Sequence, residues 1–200
     1  MNPSNEITDR IKQSIDLQSM VLHSDRIMRL IETIIEECVR CFSNGGKIFF
    51  CGNGGSAADC QHLSSELSGR FYFNRPPLNA EALHVNSSYL TATANDFSFD
   101  QVFERALAAK GCKGDVLFAL TTSGKSENII KALEKADELG IITVLFTGSN
   151  LFSKQELVKH LLTIPSDDTP RIQECHLLLG HIICEQVEKR MFPNVQAGNC

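Results

Sequence analysis

The stretch KIFFCGNGGS, residues 47–56, decides the fold of this chain. Its first five residues are apolar except for Lys47, as in a parallel strand that is buried on both faces. Three glycines in four positions end this strand, and helical spacing follows Ser56. A strand, a glycine turn and a helix N-terminus together present backbone N–H groups at the positive end of the helix dipole, which favours an anion. The alternative is a tight bend that needs glycine and binds nothing, and this stretch alone leaves the two equally open.

The same alternation of apolar runs and helical patterns continues along the chain and predicts an α/β fold. Apolar runs at 80–85, 115–121, 141–146 and 161–165 predict four more strands, with helices between them and a last helix at 170–191. This order predicts a doubly wound, five-stranded parallel sheet flanked by helices. Apolar residues at three- and four-residue steps predict one helix throughout 4–43. We therefore predict a single domain over 1–200, with an N-terminal helical segment at 1–45, an α/β core at 46–192 and a flexible tail at 193–200.

The composition limits the class of protein and its partners. A chain of 200 residues with 42% apolar and 22% charged residues is typical of one soluble globular domain. The net charge of −5 argues against a broad nucleic-acid surface. No apolar run approaches the ~20 residues that cross a bilayer, and the N-terminus lacks a secretory signal pattern. These features predict a cytoplasmic protein with no nucleic-acid or membrane partner.

The eight cysteines fit the same compartment. Most of them lie in apolar stretches, as free thiols do in the core of a protein from a reducing compartment. Cys38 and Cys41 have a spacing that metal sites use, but no second Cys/His pair of the right kind follows them. We therefore predict a core role for this pair.

A second turn, TTSGKS at 121–126, follows the strand predicted at 115–121. It carries four hydroxyl side chains beside a predicted helix start, and hydroxyls with backbone N–H groups can surround a phosphate without arginine. The alternative is ordinary N-capping by serine or threonine. Capping needs one hydroxyl, and the carboxyl ends of parallel strands meet at one edge of a sheet. The two turns together therefore favour a phosphorylated ligand at that edge.

Two pairs of residues on predicted helices are candidates for metal binding or acid–base chemistry. His62 and Glu66 lie four residues apart, on one face of the helix that follows the glycine turn. Such a pair can bind a metal ion or form a solvated surface pair, which the spacing alone favours. Gln173 and His181 on the last helix are about 12 Å apart, so they can reach one site or serve sites of different subunits. A lone histidine in an apolar stretch, such as His181, is more often a core residue than a ligand.

Five motifs together resemble the sugar isomerase (SIS) domain family and, within it, the phosphoheptose isomerase family. They are CGNGGS at 51–56, HLSSE at 62–66, Asn95-Asp96, TTSGKS at 121–126, and RIQE at 171–174 with His181. The resemblance spans nearly the whole chain. It implies the SIS fold and a cytoplasmic homotetramer with sites near subunit interfaces. It also implies one zinc ion per subunit and a phosphorylated seven-carbon sugar as substrate.

The resemblance also implies roles for particular residues. Glu66 and His181 would be catalytic, and the metal ligands would be His62, Glu66, Gln173 and His181. The substrate contacts would be Asn53, Gly54, Gly55, Ser56, Glu66, Asn95, Asp96, Thr121, Thr122, Ser123, Ser126 and Gln173. The chain departs from the family pattern at Thr121, where serine is usual, and at Lys125, where asparagine is usual. The hydroxyl is kept at Thr121, whereas Lys125 adds charge near the phosphate or points to solvent.

The activity that the resemblance implies is the isomerisation of sedoheptulose 7-phosphate to D-glycero-D-manno-heptose 7-phosphate through an enediol. This is the first step of ADP- or GDP-heptose synthesis for lipopolysaccharide or another surface polysaccharide. Glu66 would be the base and His181 its partner, with zinc as a Lewis acid.

Two alternatives remain beside this activity. One is a SIS isomerase for another sugar phosphate. The other is a non-catalytic SIS protein that binds the replication initiator DnaA, which the ending Met191-Phe192-Pro193 also resembles. That branch replaces the glutamate and the last-helix histidine. Since this chain keeps Glu66 and His181, an enzyme is predicted.

Overall fold

The protein is described by a computed structural model over residues 3–195, which contain five strands and seven α-helices. The strands are β1 (Ile48–Gly52), β2 (Ala80–Ala82), β3 (Val116–Leu120), β4 (Ile142–Thr147) and β5 (His160–Thr163). The helices are α1 (Pro3–Leu22), α2 (Asp25–Ser43), α3 (Gly55–Ser68), α4 (Ser87–Asp96), α5 (Val102–Lys110), α6 (Glu127–Leu139) and α7 (Thr169–Met191). Residues 196–200 of the predicted tail lie outside the described residues.

The five strands form one sheet in the order β2-β1-β3-β4-β5, and every neighbouring pair is parallel. The predicted doubly wound parallel sheet is therefore confirmed. In this order the connections leave β1 and β3 in opposite directions, so the crevice between their carboxyl ends is the switch point of the sheet. Ligands of open α/β sheets bind at such a point.

Two apolar layers cover the sheet, and the alternation of side chains along each strand divides them. Ile48 and Phe50 of β1 belong to the layer that packs against α1, α2, α3 and α7. Phe49 and Cys51 belong to the opposite layer, against α4, α5 and α6. Every residue of β1 and β3 is buried, which accounts for their continuous apolar runs. No helix within residues 3–195 is both long and apolar enough to cross a membrane.

The structure corrects some of the predicted elements. The N-terminal helical segment is confirmed, but the prediction that 4–43 is helical throughout is wrong at His23–Ser24, where the chain breaks into α1 and α2. The Ser24 hydroxyl accepts a hydrogen bond from the Ile27 amide and caps α2. The strand predicted at 80–85 is only three residues long, and a 3-10 turn at Phe99–Gln101 precedes α5. Between β4 and β5 the chain forms only a 3-10 turn, Gln155–Leu157, where the alternating pattern predicted a helix.

The described cysteines are all free thiols. Cys38 and Cys41 are buried in the apolar core, as predicted, and burial raises the pKa of the Cys41 thiol to about 12. Cys112 is exposed, unlike the other described cysteines. Within residues 3–195, every cysteine except Cys112 is therefore a core residue.

Candidate active site

The glycine turn after β1 has the backbone geometry that its sequence predicts. Gly54 has a φ of +55°, which a residue with a Cβ rarely adopts, and α3 begins directly after it. Gly55 lies against Gln173 of α7, so a Cβ at this position would stand 2.7 Å from the Gln173 Nε2. Asn53 exchanges two hydrogen bonds of 2.9 Å with the Asn128 amide on α6. The turn is thereby fixed between two other helices.

The second turn, after β3, presents hydroxyls that helix capping does not consume. Thr121 Oγ1 accepts from the Gly124 amide and Ser123 Oγ from the Lys125 amide. Ser126 stands at the N-cap of α6, yet its side chain makes no capping hydrogen bond. Its hydroxyl therefore remains available to a ligand. The alternative that these hydroxyls serve only as caps does not describe Ser126.

One cavity of about 300 Å³ lies between the two turns. It is lined by Asn53, Gly54, Gly55, Ser56, Leu120, Thr121, Thr122, Ser123, Ser126, Thr169 and Gln173. The first turns of α3 and α7 and the N-cap of α6 all contribute to this lining. Each helix start carries partial positive charge and unpaired N–H groups, and no lining side chain is charged. This cavity suits a phosphate held by helix ends and hydroxyls.

A second group of polar side chains lies farther along α3 and α7. His62 Nε2 is 3.3 Å from Glu66 Oε1 and 2.8 Å from His181 Nε2. The ligand atoms of these three residues all lie within 4.8 Å of one another. Gly180 of α7 allows α3 and α7 to pack closely, since a Cβ at this position would stand 2.5 Å from Leu63 of α3. Burial, then the charge of His62, lowers the pKa of His181, while Glu66 raises it.

This group fits a catalytic metal ion by its chemistry. Two imidazoles and one carboxylate form the ligand set of several catalytic zinc sites, which keep a fourth position for water or substrate. Tetrahedral zinc places two ligand nitrogens about 3.3–3.4 Å apart. The distance between His62 Nε2 and Glu66 Oε1, 3.3 Å, is close to this value. The distance between His62 Nε2 and His181 Nε2, 2.8 Å, is shorter by about half an ångström, so the two rings would have to move apart by that amount. The pair of His62 and Glu66, for which spacing alone favoured a solvated surface pair, is joined by the His181 ring of α7.

The structure does not bring every predicted residue to one place. Gln173 lines the cavity, and its amide donates to Ser56 Oγ at 3.4 Å, so its contacts lie with the glycine turn. Asn95 and Asp96 are exposed at the end of α4, where Asn95 Nδ2 donates to Asp96 Oδ1, and they do not line the cavity. The roles of Gln173 as a metal ligand and of Asn95 and Asp96 as substrate contacts stay predictions.

Sequence reasoning missed two residues of the cavity region. Thr169 lines the cavity, and its hydroxyl lies 3.4 Å from Thr122 Oγ1. The sequence did contain a signal for Thr169. It is a hydroxyl residue at a helix start, as Ser56 and Ser126 are in the other two turns. Asn128 is buried within α6, and its pairing with Asn53 bridges 75 residues of sequence, so no local pattern indicated it.

Comparison with known proteins identifies the family of this chain. The SIS domain family matches residues 11–148, so the chain is a SIS-domain protein. It is 44% identical to a phosphoheptose isomerase of Aneurinibacillus thermoaerophilus over 188 residues, which cover 94% of this chain and 95% of that protein. The chain therefore belongs to the phosphoheptose isomerase family.

Solved structures agree with this assignment. A phosphoheptose isomerase from Francisella tularensis has a TM-score of 0.89 and 34% identity, covering 94% of this chain and all of that one. The enzyme from Neisseria gonorrhoeae has a TM-score of 0.85 and 35% identity, covering 93% and 98%. The predictions of the SIS fold and of an enzyme, an aldose–ketose isomerase, are confirmed. The family assignment and the grouping of Glu66 with His181 favour this enzyme over the DnaA-binding alternative.

Proposed function

We propose that this sugar-phosphate isomerase of heptose biosynthesis converts sedoheptulose 7-phosphate into D-glycero-D-manno-heptose 7-phosphate through an enediol. It would act in the cytoplasm, in the first step of ADP- or GDP-heptose synthesis for lipopolysaccharide or another surface polysaccharide. One observation carries the proposal. An anion cavity at the start of α3 and α7 is followed, along the same two helices, by a group of acid–base side chains.

The spacing of these two regions supports a long sugar phosphate. Gln173 contacts Ser56 and His181 contacts His62, so α3 and α7 run side by side with their N-termini at the same end. A rise of 1.5 Å per residue separates Ser56 from His62 by about 9 Å and Gln173 from His181 by about 12 Å. An extended seven-carbon sugar has a comparable length from its phosphate to C1. A phosphate in the cavity therefore leaves C1 and C2 near Glu66 and His181.

The side chains at that end can move the protons of the reaction. Glu66 would take a proton from C1 while the C2 oxygen gains one, which gives the enediol. The C1 oxygen then loses its proton and C2 receives one, which gives the aldose. A carboxylate suits the carbon proton and a neutral imidazole suits transfer between oxygens, and the lowered pKa of His181 keeps its ring neutral. His62, Glu66 and His181 would hold zinc, which as a Lewis acid would disperse the negative charge of the enediolate.

The test is conversion of sedoheptulose 7-phosphate by the purified protein. An aldoheptose 7-phosphate is expected, with solvent deuterium at C2, because an enediol exchanges its carbon proton. Elemental analysis is expected to find about one zinc ion per chain, with activity lost on chelation and restored by zinc. Conversion without deuterium exchange would contradict the enediol. Turnover of a pentose or hexose phosphate in preference would contradict the seven-carbon substrate, and full activity after metal removal would contradict zinc.

We also propose that the protein is a homotetramer, as the family resemblance implies, and α1 supports self-association because it carries an apolar row that residues 3–195 leave exposed. Ile7, Ile11 and Ile15 recur every four residues and are 56–64% exposed, so they lie on one face of the helix. This row borders a groove of about 460 Å³ that Arg171 and Glu174 of α7 also line. The partner proposed for it is a second copy of the chain.

Light scattering tests this assembly. The intact protein is expected to have the mass of four chains, and Ile11→Asp is expected to reduce it, because a buried unpaired carboxylate is costly. Asp9→Asn, on the same helix outside the apolar row, serves as the matched control. A monomeric intact protein would contradict the proposal.

A further inference from the structure

A buried ion pair lies outside the cavity and ties the end of α3 to α7. Arg75 belongs to the loop that follows α3, and Glu188 lies on α7. Arg75 Nε donates to Glu188 Oε1 at 2.9 Å, and the two side chains are 0% and 1% exposed. An apolar pair of similar volume would fill such a place without the cost of removing two charges from water. Packing alone therefore does not explain why this position holds two charged side chains.

Besides a hydrogen bond of 3.1 Å to the Pro76 carbonyl, the terminal nitrogens of Arg75 donate to the end of the helix that carries Glu66. One terminal nitrogen donates to the Glu66 carbonyl at 2.9 Å, and the other donates to the Leu67 carbonyl at 2.7 Å and the Gly69 carbonyl at 3.1 Å. The last carbonyls of a helix lack partners within the helix and carry partial negative charge. A buried guanidinium that pairs with them fixes the position of the last turn of α3.

Glu188 fixes the backbone of the loop that follows α3. Its carboxylate accepts from the successive amides of Phe71, Tyr72 and Phe73, at 2.8, 2.6 and 3.0 Å. Burial raises the pKa of Glu188, but these three amides and Arg75 together outweigh it and hold the pKa below its ordinary value. The Phe71 ring lies 6.0 Å from the His181 ring. Glu188 therefore holds an aromatic side chain against one of the proposed catalytic residues.

We propose that Arg75 and Glu188 are positioning residues that set Glu66 and Phe71 against His181. The two residues act on either side of His181. Arg75 holds the α3 backbone at Glu66, and Glu188 holds the loop at Phe71. Glu188 follows His181 by seven residues, so both lie on one face of α7. This proposal rests on the proposed isomerase function. It predicts that loss of the charge pair alters turnover more than binding of the phosphate, which lies at the other end of the helices.

Glu188→Gln tests the proposal, because it keeps the size of the side chain and removes its charge. Its kcat is expected to fall at least about 10-fold while KM changes less than about 3-fold. Glu37→Gln is the matched control. Glu37 is a buried carboxylate on α2 that pairs with Arg40 and Lys159, each at 2.8 Å, away from the site. The control is expected to lose stability and keep its kcat. Equal kcat values in the two variants would overturn the proposal.

A second measurement does not depend on activity. Amide hydrogen exchange at Phe71, Tyr72 and Phe73, and the NMR signals of the His62 and His181 rings, are expected to change in Glu188→Gln and not in Glu37→Gln. If amide exchange and the histidine ring signals are unchanged in Glu188→Gln, the proposed positioning role is overturned, even if the enzyme is active. If the intact protein lacks isomerase activity but these signals move, the proposed function fails and the positioning stands. If Glu188→Gln does not fold, Arg75→Lys, which keeps the charge but loses the fork of donors, is measured in the same way.

Discussion

Glu66→Gln is expected to lower kcat by more than about 100-fold, because glutamine keeps the shape of the side chain and cannot accept the C1 proton. General acid–base groups typically contribute 10²–10⁴-fold to a rate. Glu66 is suited to this role by its place in the structure, with one oxygen 3.3 Å from His62 and a partly buried side chain. The rate is measured with sedoheptulose 7-phosphate at saturating concentration.

Zinc content separates the two roles proposed for Glu66. A variant that keeps its zinc and loses its turnover identifies Glu66 as the base. A variant that loses zinc and regains turnover in excess zinc identifies it as a ligand alone. Glu138→Gln is the control for the chemical change, since Glu138 is an exposed residue of α6 that pairs with Lys135 at the surface. A Glu66→Gln enzyme with undiminished kcat would remove Glu66 from the mechanism.

The order of strands and helices was predictable because each element carries its own apolar pattern within a short stretch of sequence. Each buried strand is an apolar run, and each turn at the carboxyl edge is marked by glycine or hydroxyl residues, as at 52–56 and 121–126. The break between α1 and α2 was missed because His23 and Ser24 include neither glycine nor proline. The signal was present in Ser24 and Asp25, a capping residue followed by an acidic first turn. The apolar residues at three- and four-residue steps continue across this point, so the pattern gave no indication of a break.

From the residues alone, the site was predictable where a local pattern marks it, in the two turns that follow strands and in the pair of His62 and Glu66. The two turns carry their own markers, and the SIS resemblance supplied His181 and Gln173, which lie more than 100 residues from α3. The spacing on α7 left open whether these two meet, and the structure places them beside different parts of α3. The pairing of Arg75 with Glu188 spans 113 residues. A lone arginine before two prolines and a glutamate in a helix give no sign of each other, because their partnership exists only after α3 and α7 pack.

Ser126→Asp is expected to raise KM for the sugar phosphate at least about 100-fold without unfolding the protein. Serine and aspartate are equally good N-cap residues, and a carboxylate is favourable at the start of α6. The same carboxylate would lie in the cavity proposed for the phosphate. Two unit charges 4 Å apart repel by about 4 kcal/mol at an effective dielectric constant of 20. A 100-fold effect corresponds to about 2.7 kcal/mol, which allows for screening by solvent. Steady-state kinetics and thermal unfolding measure the two effects.

Ser126→Asn is the matched variant, because asparagine has the size and capping ability of aspartate without its charge. Its KM is expected to rise far less than that of Ser126→Asp. Inorganic phosphate supplies a second readout, since a ligand that binds only the folded state raises the unfolding temperature. Phosphate is expected to stabilise the intact protein and Ser126→Asn, and to leave Ser126→Asp unchanged. Equal KM values for the aspartate and asparagine variants would show that Ser126 does not face the phosphate. The anion site would then have to lie with the glycine turn alone.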